Sequence, residues 1–190
     1  MNLVVQSRLI AAAVVFGVVF YIVFAIAGEP WGTLNDIAGA LLAALMAQLA
    51  WTTRNFWRAP RWALGAGLVG AAVAILGSAL VVFHATGWFL AGLVTTLGFA
   101  GVGAWLLGVN RGASRLASVT GALMAAGVIV LPGVLLRYDD AAKAPPWIYA
   151  GFVGWIGLLL FPWWAWRVAA PGRRLDLPAD AALTTPQEVG

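Results

Sequence analysis

Apolar residues along this chain neither alternate with polar ones nor leave a polar stripe at helical spacing; they run on. Six such stretches extend from Leu9 to Ala27, Leu34 to Thr53, Trp62 to Phe83, Trp88 to Val109, Leu116 to Leu136 and Trp147 to Trp166. A helix rises about 1.5 Å per residue and the hydrocarbon layer of a bilayer is about 30 Å thick, so roughly 20 apolar residues make one crossing. The runs are continuous and about twice the length of a barrel strand, which excludes a transmembrane β-barrel. Backbone that lacks partners in lipid leaves helix as the remaining conformation. The pattern predicts an all-α integral membrane protein, a bundle of about six transmembrane helices running up and down.

The connections are short and rich in helix breakers, as in Gly28-Glu29-Pro30-Trp31-Gly32 and in Asp139 to Pro146. Arg8, Arg54, Arg58, Arg61, Arg111, Arg115, Arg167, Arg173 and Arg174 all fall on one side of a six-span arrangement. Glu29, Asp36, Arg137, Asp139, Asp140 and Lys143 fall on the other. Basic residues in short loops are retained in the cytoplasm, so both termini are expected there. Changing the helix count by one would scatter this segregation, which therefore supports the count independently. Tryptophan agrees: Trp31, Trp88 and Trp147 mark the outer boundary of the even spans, Trp51, Trp57, Trp62, Trp105, Trp163, Trp164 and Trp166 gather towards the inner one, and Trp155 alone falls mid-membrane.

Composition strengthens the reading. Hydrophobic residues make up 63% of the 190 and charged residues 9%, against about 45 to 50% and about 25% in soluble domains. So much apolar surface needs lipid as its solvent. Residues 1–167 are expected to form the membrane domain, and the Pro- and Gly-containing segment 168–190 a flexible cytoplasmic tail. The absence of cysteine excludes disulfides and thiolate metal sites. The basic residues are scattered at the edges of apolar runs rather than gathered in a stripe, which argues against a nucleic-acid partner. Ten arginines against one lysine, with abundant Ala, Gly and Val, fit a bacterial chain and hence a bacterial cytoplasmic membrane.

Two further patterns bear on the first span and on the chain as a whole. Ala25-Ile26-Ala27 also reads as a signal-peptide cleavage site, although the apolar run is longer than such peptides use. Arg8, Arg61 and Arg115 open the odd spans and Trp31, Trp88 and Trp147 the even ones at similar intervals, as a repeat of two-helix hairpins would; ordinary topology rules produce the same spacing.

Inside lipid, helices associate through small residues that admit close backbone approach. Ala66, Gly70, Ala74 and Ser78 form such a ladder in the third span, Gly92, Thr96, Ala100, Ala104 and Gly108 in the fourth, and Ala113, Ala117, Gly121 and Ala125 in the fifth. These three spans are expected to form the tight centre. Pro132 and Pro162 fall late in the fifth and sixth spans, where proline ordinarily ends a helix.

No Asp, Glu, Lys or Arg lies deep within any of the six stretches, which argues against an ion-coupled transporter. Candidate ligand-binding residues are therefore sought at the span ends and among neutral polar groups. Asn35 and Asp36 stand at the start of the second span, where helix capping is the ordinary role of a carboxylate. His84, the single histidine, is interfacial at the end of the third. Asp36, His84, Asp139 and Asp140 would share the outer side, a set suited to a cation or polar solute if they converge. Gln48, Thr95, Thr96 and Thr120 are expected inside the bundle as interhelical hydrogen-bonding groups, and Thr95, Gln48 and mid-membrane Trp155 as lining for a pocket. Arg54, Arg58 and Arg61, interleaved with Phe56, Trp57 and Trp62, form a loop suited to anionic lipid headgroups at about 1 kcal/mol per charge.

No phosphate-binding loop, zinc motif or serine-hydrolase spacing occurs, so no cofactor and no catalytic residue is assigned. In size and helix count alone the chain resembles the substrate-binding subunits of energy-coupling-factor vitamin importers. The leading expectation is a non-enzymatic scaffold, accessory subunit or lipid-interacting protein whose partners are lipids or another membrane subunit. The alternative is a small-solute binding or transport component with an outward-facing pocket between helices. A lipid-modifying enzyme would lack a visible nucleophile. A packed centre favours the first, a pocket lined by Trp155, Thr95 or Gln48 the second.

Overall fold

The computed structural model describes residues 2–54, 59–110 and 114–169. Helix α1 spans Leu3–Ala27, α2 Trp31–Thr53, α3 Arg61–Val82 and α4 Trp88–Asn110. Helix α5 (Arg115–Ala125) tightens into a 3₁₀ segment, Ala126–Val130, and continues as the short α6 (Leu131–Leu135). After a 3₁₀ turn at Ala141–Lys143, a second 3₁₀ segment, Pro146–Val153, leads into α7 (Gly154–Ala169). The described residues contain no strand. Among the described residues six helical rods are long and apolar enough to cross a membrane, the fifth being Arg115–Leu135 and the sixth Pro146–Ala169.

The irregularities have local causes. Pro132 has no N–H for the Val128 carbonyl and its ring crowds that oxygen, and the backbone just before it is 3₁₀. Pro162 does not end its helix as expected: α7 runs on to Ala169. The third and fifth rods close with the same cap. The amide of Ala85 donates to the Leu80 carbonyl (2.8 Å) and that of His84 to Val81 (2.8 Å), and likewise Tyr138 to Gly133 (3.0 Å) and Arg137 to Val134 (3.1 Å). This double bond pattern needs a left-handed residue at its centre, and His84 (φ 53°) and Arg137 (φ 55°) supply it.

Neighbouring rods pack in sequence from α1 through α5 to α7, and α7 returns to α1, closing the bundle. The α3/α4 seam is antiparallel and built on glycine. A Cβ placed on Gly98 would lie 2.2 Å from the Ala74 amide nitrogen, and one on Gly70 2.5 Å from the Gly98 carbonyl oxygen. Helix α4 meets α5 the same way, a Cβ on Gly103 falling 2.5 Å from the Ala125 amide nitrogen. Such spacing lets two backbones make dispersion contacts along their length, the attraction available in lipid. The third, fourth and fifth rods do form the tight centre, with Trp105, Leu106, Val102 and Met124 fully buried there.

The ladder expected on α4 needs correction. Gly98 and Gly101 face α3, whereas Thr96 and Ala100 face Gly127, and Gly92 faces open space. Each step of four residues rotates a helix face by about 40°, so a ladder of five rungs drifts through roughly 160° and cannot serve one neighbour. Helix α1 packs against both α2 and α7 as an integral stave.

Candidate functional site

A cavity of about 260 Å³ lies between α1, α2, α4 and α7, with Ser78 of α3 at its back. Helix α1 lines it with Ala13, Val14, Gly17, Val18 and Tyr21, residues that recur at three- and four-residue steps on one face. The same periodicity on α2 presents Asn35, Asp36, Ala38, Gly39 and Leu42. Thr95 and Phe99 come from α4, and Trp155, Leu158 and Leu159 from α7.

Asp36 reaches this cavity because α2 begins earlier than its apolar run. The helix starts at Trp31, and its first turn is held by Glu29, whose Oε2 accepts from the Thr33 amide (3.3 Å) and hydroxyl (3.0 Å). The capping role expected of Asp36 is thus taken by Glu29. Asp36 instead lies five residues into the helix, about 7.5 Å along its axis. Asp36 is thus an acidic residue in the second turn of α2, half-buried beside the cavity. Its side chain has no hydrogen bond or ion pair among the described residues.

The remaining polar groups cluster with it. Thr95 lines the cavity too, but its hydroxyl donates to the Ala91 carbonyl (3.0 Å) and packs against Gly77 of α3. Ser78 is 2% exposed and without a hydrogen-bond partner among the described residues. Trp155 answers how an indole sits in mid-bundle. Its Nε1–H donates to Thr96 Oγ1 (3.0 Å), and that hydroxyl donates to the Gly92 carbonyl (2.8 Å). Its ring centroid stands 6.4 Å from that of Tyr21 across the α1/α7 seam.

Asn35, Asp36, Thr95 and Trp155 therefore come together on one cavity. Gln48 and His84 do not. Gln48, thirteen residues past Asn35 and about 220° round the helix, is exposed on the outside of α2. His84 is exposed, and its place is set by the backbone cap it forms. Asp140 pairs with Lys143 (3.4 Å) and neither it nor Asp139 lines the cavity. Among the described residues no cluster of three His, Cys, Asp or Glu could hold a metal.

Among the buried polar groups that escaped sequence reasoning, two join separate elements. Gln6 Nε2 donates to the Leu45 carbonyl (3.1 Å), tying α1 to α2. Asn110 knots the α4/α5 turn, its Nδ2 donating to the Ser118 hydroxyl (2.8 Å) and the Ser114 carbonyl (3.1 Å). Both lie near rod ends where polar residues look solvated in sequence. Of the basic loop, Arg54 lays its guanidinium 4.0 Å from the Trp51 ring centroid, Arg61 is exposed, and Arg58 lies outside the described residues.

No known protein family, curated protein or solved structure matches the chain.

Proposed function

We propose that this chain is an integral membrane protein, with six crossing helices and both ends in the cytoplasm, that binds a small amphipathic solute in the cavity between α1, α2, α4 and α7. The carrying observation is the convergence of Asn35, Asp36, Thr95 and Trp155, from three separate rods, on one largely apolar cavity. The exposed apolar residues around the bundle, among them Val15, Ile22, Val69, Leu76 and Ile156, support lipid as the surrounding solvent. The arginine-rich composition supports a bacterial cytoplasmic membrane. The role is binding rather than catalysis, and Arg54, Arg58 and Arg61 contact anionic headgroups.

A second reading, an accessory or scaffold subunit, is favoured by α1, whose Phe16, Val19, Ile22 and Ile26 form an exposed apolar strip that a partner helix would fit. Native mass spectrometry of protein released from nanodiscs separates the two. Binding predicts a small-molecule adduct on the wild-type chain that Trp155→Ala strongly reduces. A stoichiometric partner subunit with no adduct would support the accessory role instead, and a bare chain insensitive to Trp155→Ala would contradict the binding role.

A further inference from the structure

The lining of the cavity specifies more than amphipathic character. We propose that its ligand is a small organic amine in the ammonium form, with Asp36 as counter-ion, whose apolar tail points to the lipid side through the seam between α1 and α7. The proposal rests on the reading above, in which the chain is membrane-embedded and the cavity binds a solute.

Charge comes first. Asp36 is the one ionisable acid or base on a lining that otherwise consists of neutral residues and the phenol of Tyr21. Among the described residues no Lys or Arg lines the cavity and none pairs with Asp36. A carboxylate in apolar surroundings is costly unless an opposite charge accompanies it. An anionic ligand would add repulsion to that cost, whereas an organic cation removes it.

Hydrogen-bond capacity points the same way. The corner is rich in oxygens, the Asp36 carboxylate, the Asn35 Oδ1 that stands 3.8 Å from where a Gly17 Cβ would be, and the Ser78 hydroxyl, while its donors are the Asn35 amide and that same hydroxyl. An ammonium group has three donors and no acceptor, which complements such a set. Ser78 is a second, separate sign of a ligand, because it is almost wholly buried, faces the cavity and has no partner among the described residues. The rings of Tyr21, Phe99 and Trp155 add faces that attract a cation.

Size and access define the rest of the molecule. About 260 Å³ holds roughly nine water-sized groups at about 30 Å³ each, which suits an amine with a short alkyl or aromatic body. The exposed members of the lining are Val18, Tyr21, Trp155 and Leu159, all on α1 and α7, while those from α2, α3 and α4 are buried or half-buried. The exposed rim of the lining is thus on the α1/α7 flank of the bundle, beside the Tyr21–Trp155 ring contact, where an amphiphile dissolved in the bilayer would meet it.

Three photoreactive probes of one short alkyl skeleton, with a diazirine at the tail and an ammonium, hydroxyl or carboxylate at the head, test this on full-length protein in phosphatidylcholine nanodiscs. Mapping of adducts by mass spectrometry is expected to find the ammonium probe on the lining segments of α1 and α7 at roughly tenfold or more above the other two. Asp36→Asn is expected to reduce ammonium labelling to the hydroxyl level, and Asp36→Glu to retain most of it. Equal labelling by ammonium and hydroxyl, or preference for carboxylate, would overturn the amine assignment while leaving a solute cavity in place. Tail adducts confined to α2, α3 or α4 would overturn the lateral orientation. Absence of every probe from the lining would overturn the binding role itself. The comparison of head groups on the wild-type chain decides the matter even if Asp36→Asn fails to fold.

Discussion

Gly98→Ala, a change of one methyl group, is expected to destabilise the bundle by about 3 kcal/mol, the upper part of the range for an overpacked core. In a chain of this size that corresponds to a fall of roughly 6 to 12 °C in melting temperature. The cause is geometric. The new methyl would sit 2.2 Å from the Ala74 nitrogen and 2.6 Å from its Cα, and backbone cannot swing aside as a side chain can. Helices α3 and α4 would have to part, losing close contact along the whole seam. Gly92→Ala is the matched control, because a methyl there meets nothing within 4 Å. Thermal unfolding in detergent should separate the two variants clearly; equal melting temperatures would mean that α3 and α4 are not in glycine contact.

Gly17→Phe is expected to do the opposite, abolishing ligand binding while leaving the fold in place. Gly17 lines the cavity, and a Cβ there would find its nearest atoms at 3.8 Å (Asn35 Oδ1) and 4.0 Å (Ala38 Cβ), ordinary contact distances. A benzyl group has the empty space ahead of it and fills what a ligand would use. Labelling by the ammonium probe should fall by roughly tenfold or more, with a melting temperature within a few degrees of wild type. Undiminished labelling would show that the probe sits elsewhere. A collapse of stability would show that the cavity has no room for a ring.

The contrast between these two glycines shows where sequence reasoning stopped. Both look alike in an apolar run. Number and extent of the rods were legible because lipid thickness and backbone hydrogen bonding leave few choices, and the small residues correctly marked α3, α4 and α5 as the close-packed group. Which rung meets which neighbour was not legible, since a four-residue ladder winds round its own helix and Gly98, which carries the α3/α4 contact, lies outside the ladder. Trp155 could be singled out because an indole far from the interface needs a buried acceptor, and Thr96 is that acceptor. Asp36 reads both as a helix cap and as an outer-side group for a cation or polar solute, and the structure overturns the cap. The apolar run begins at Leu34, but Glu29 starts the helix a turn earlier by holding Thr33, which carries Asp36 from cap to lining. Gln48 was misplaced because hydropathy locates a residue along a helix and not around it. Ser78 was read as a packing residue; its role as a lining group follows only once α2 and α4 are seen on either side of it.

The bundle has meaning as a lipid-embedded binding protein only if its rods cross a bilayer in alternating directions, and a chain without cysteine allows that to be measured cleanly. Single cysteines at Ala59, Ser114, Ala85 and Ala142, each in a turn between rods, can be probed with a membrane-impermeant maleimide in sealed, inside-out and right-side-out vesicles. Positions 59 and 114 are expected to react from the cytoplasmic face and 85 and 142 from the opposite one. Reaction of 59 and 114 from opposite faces, or of all four from the same face, would contradict it.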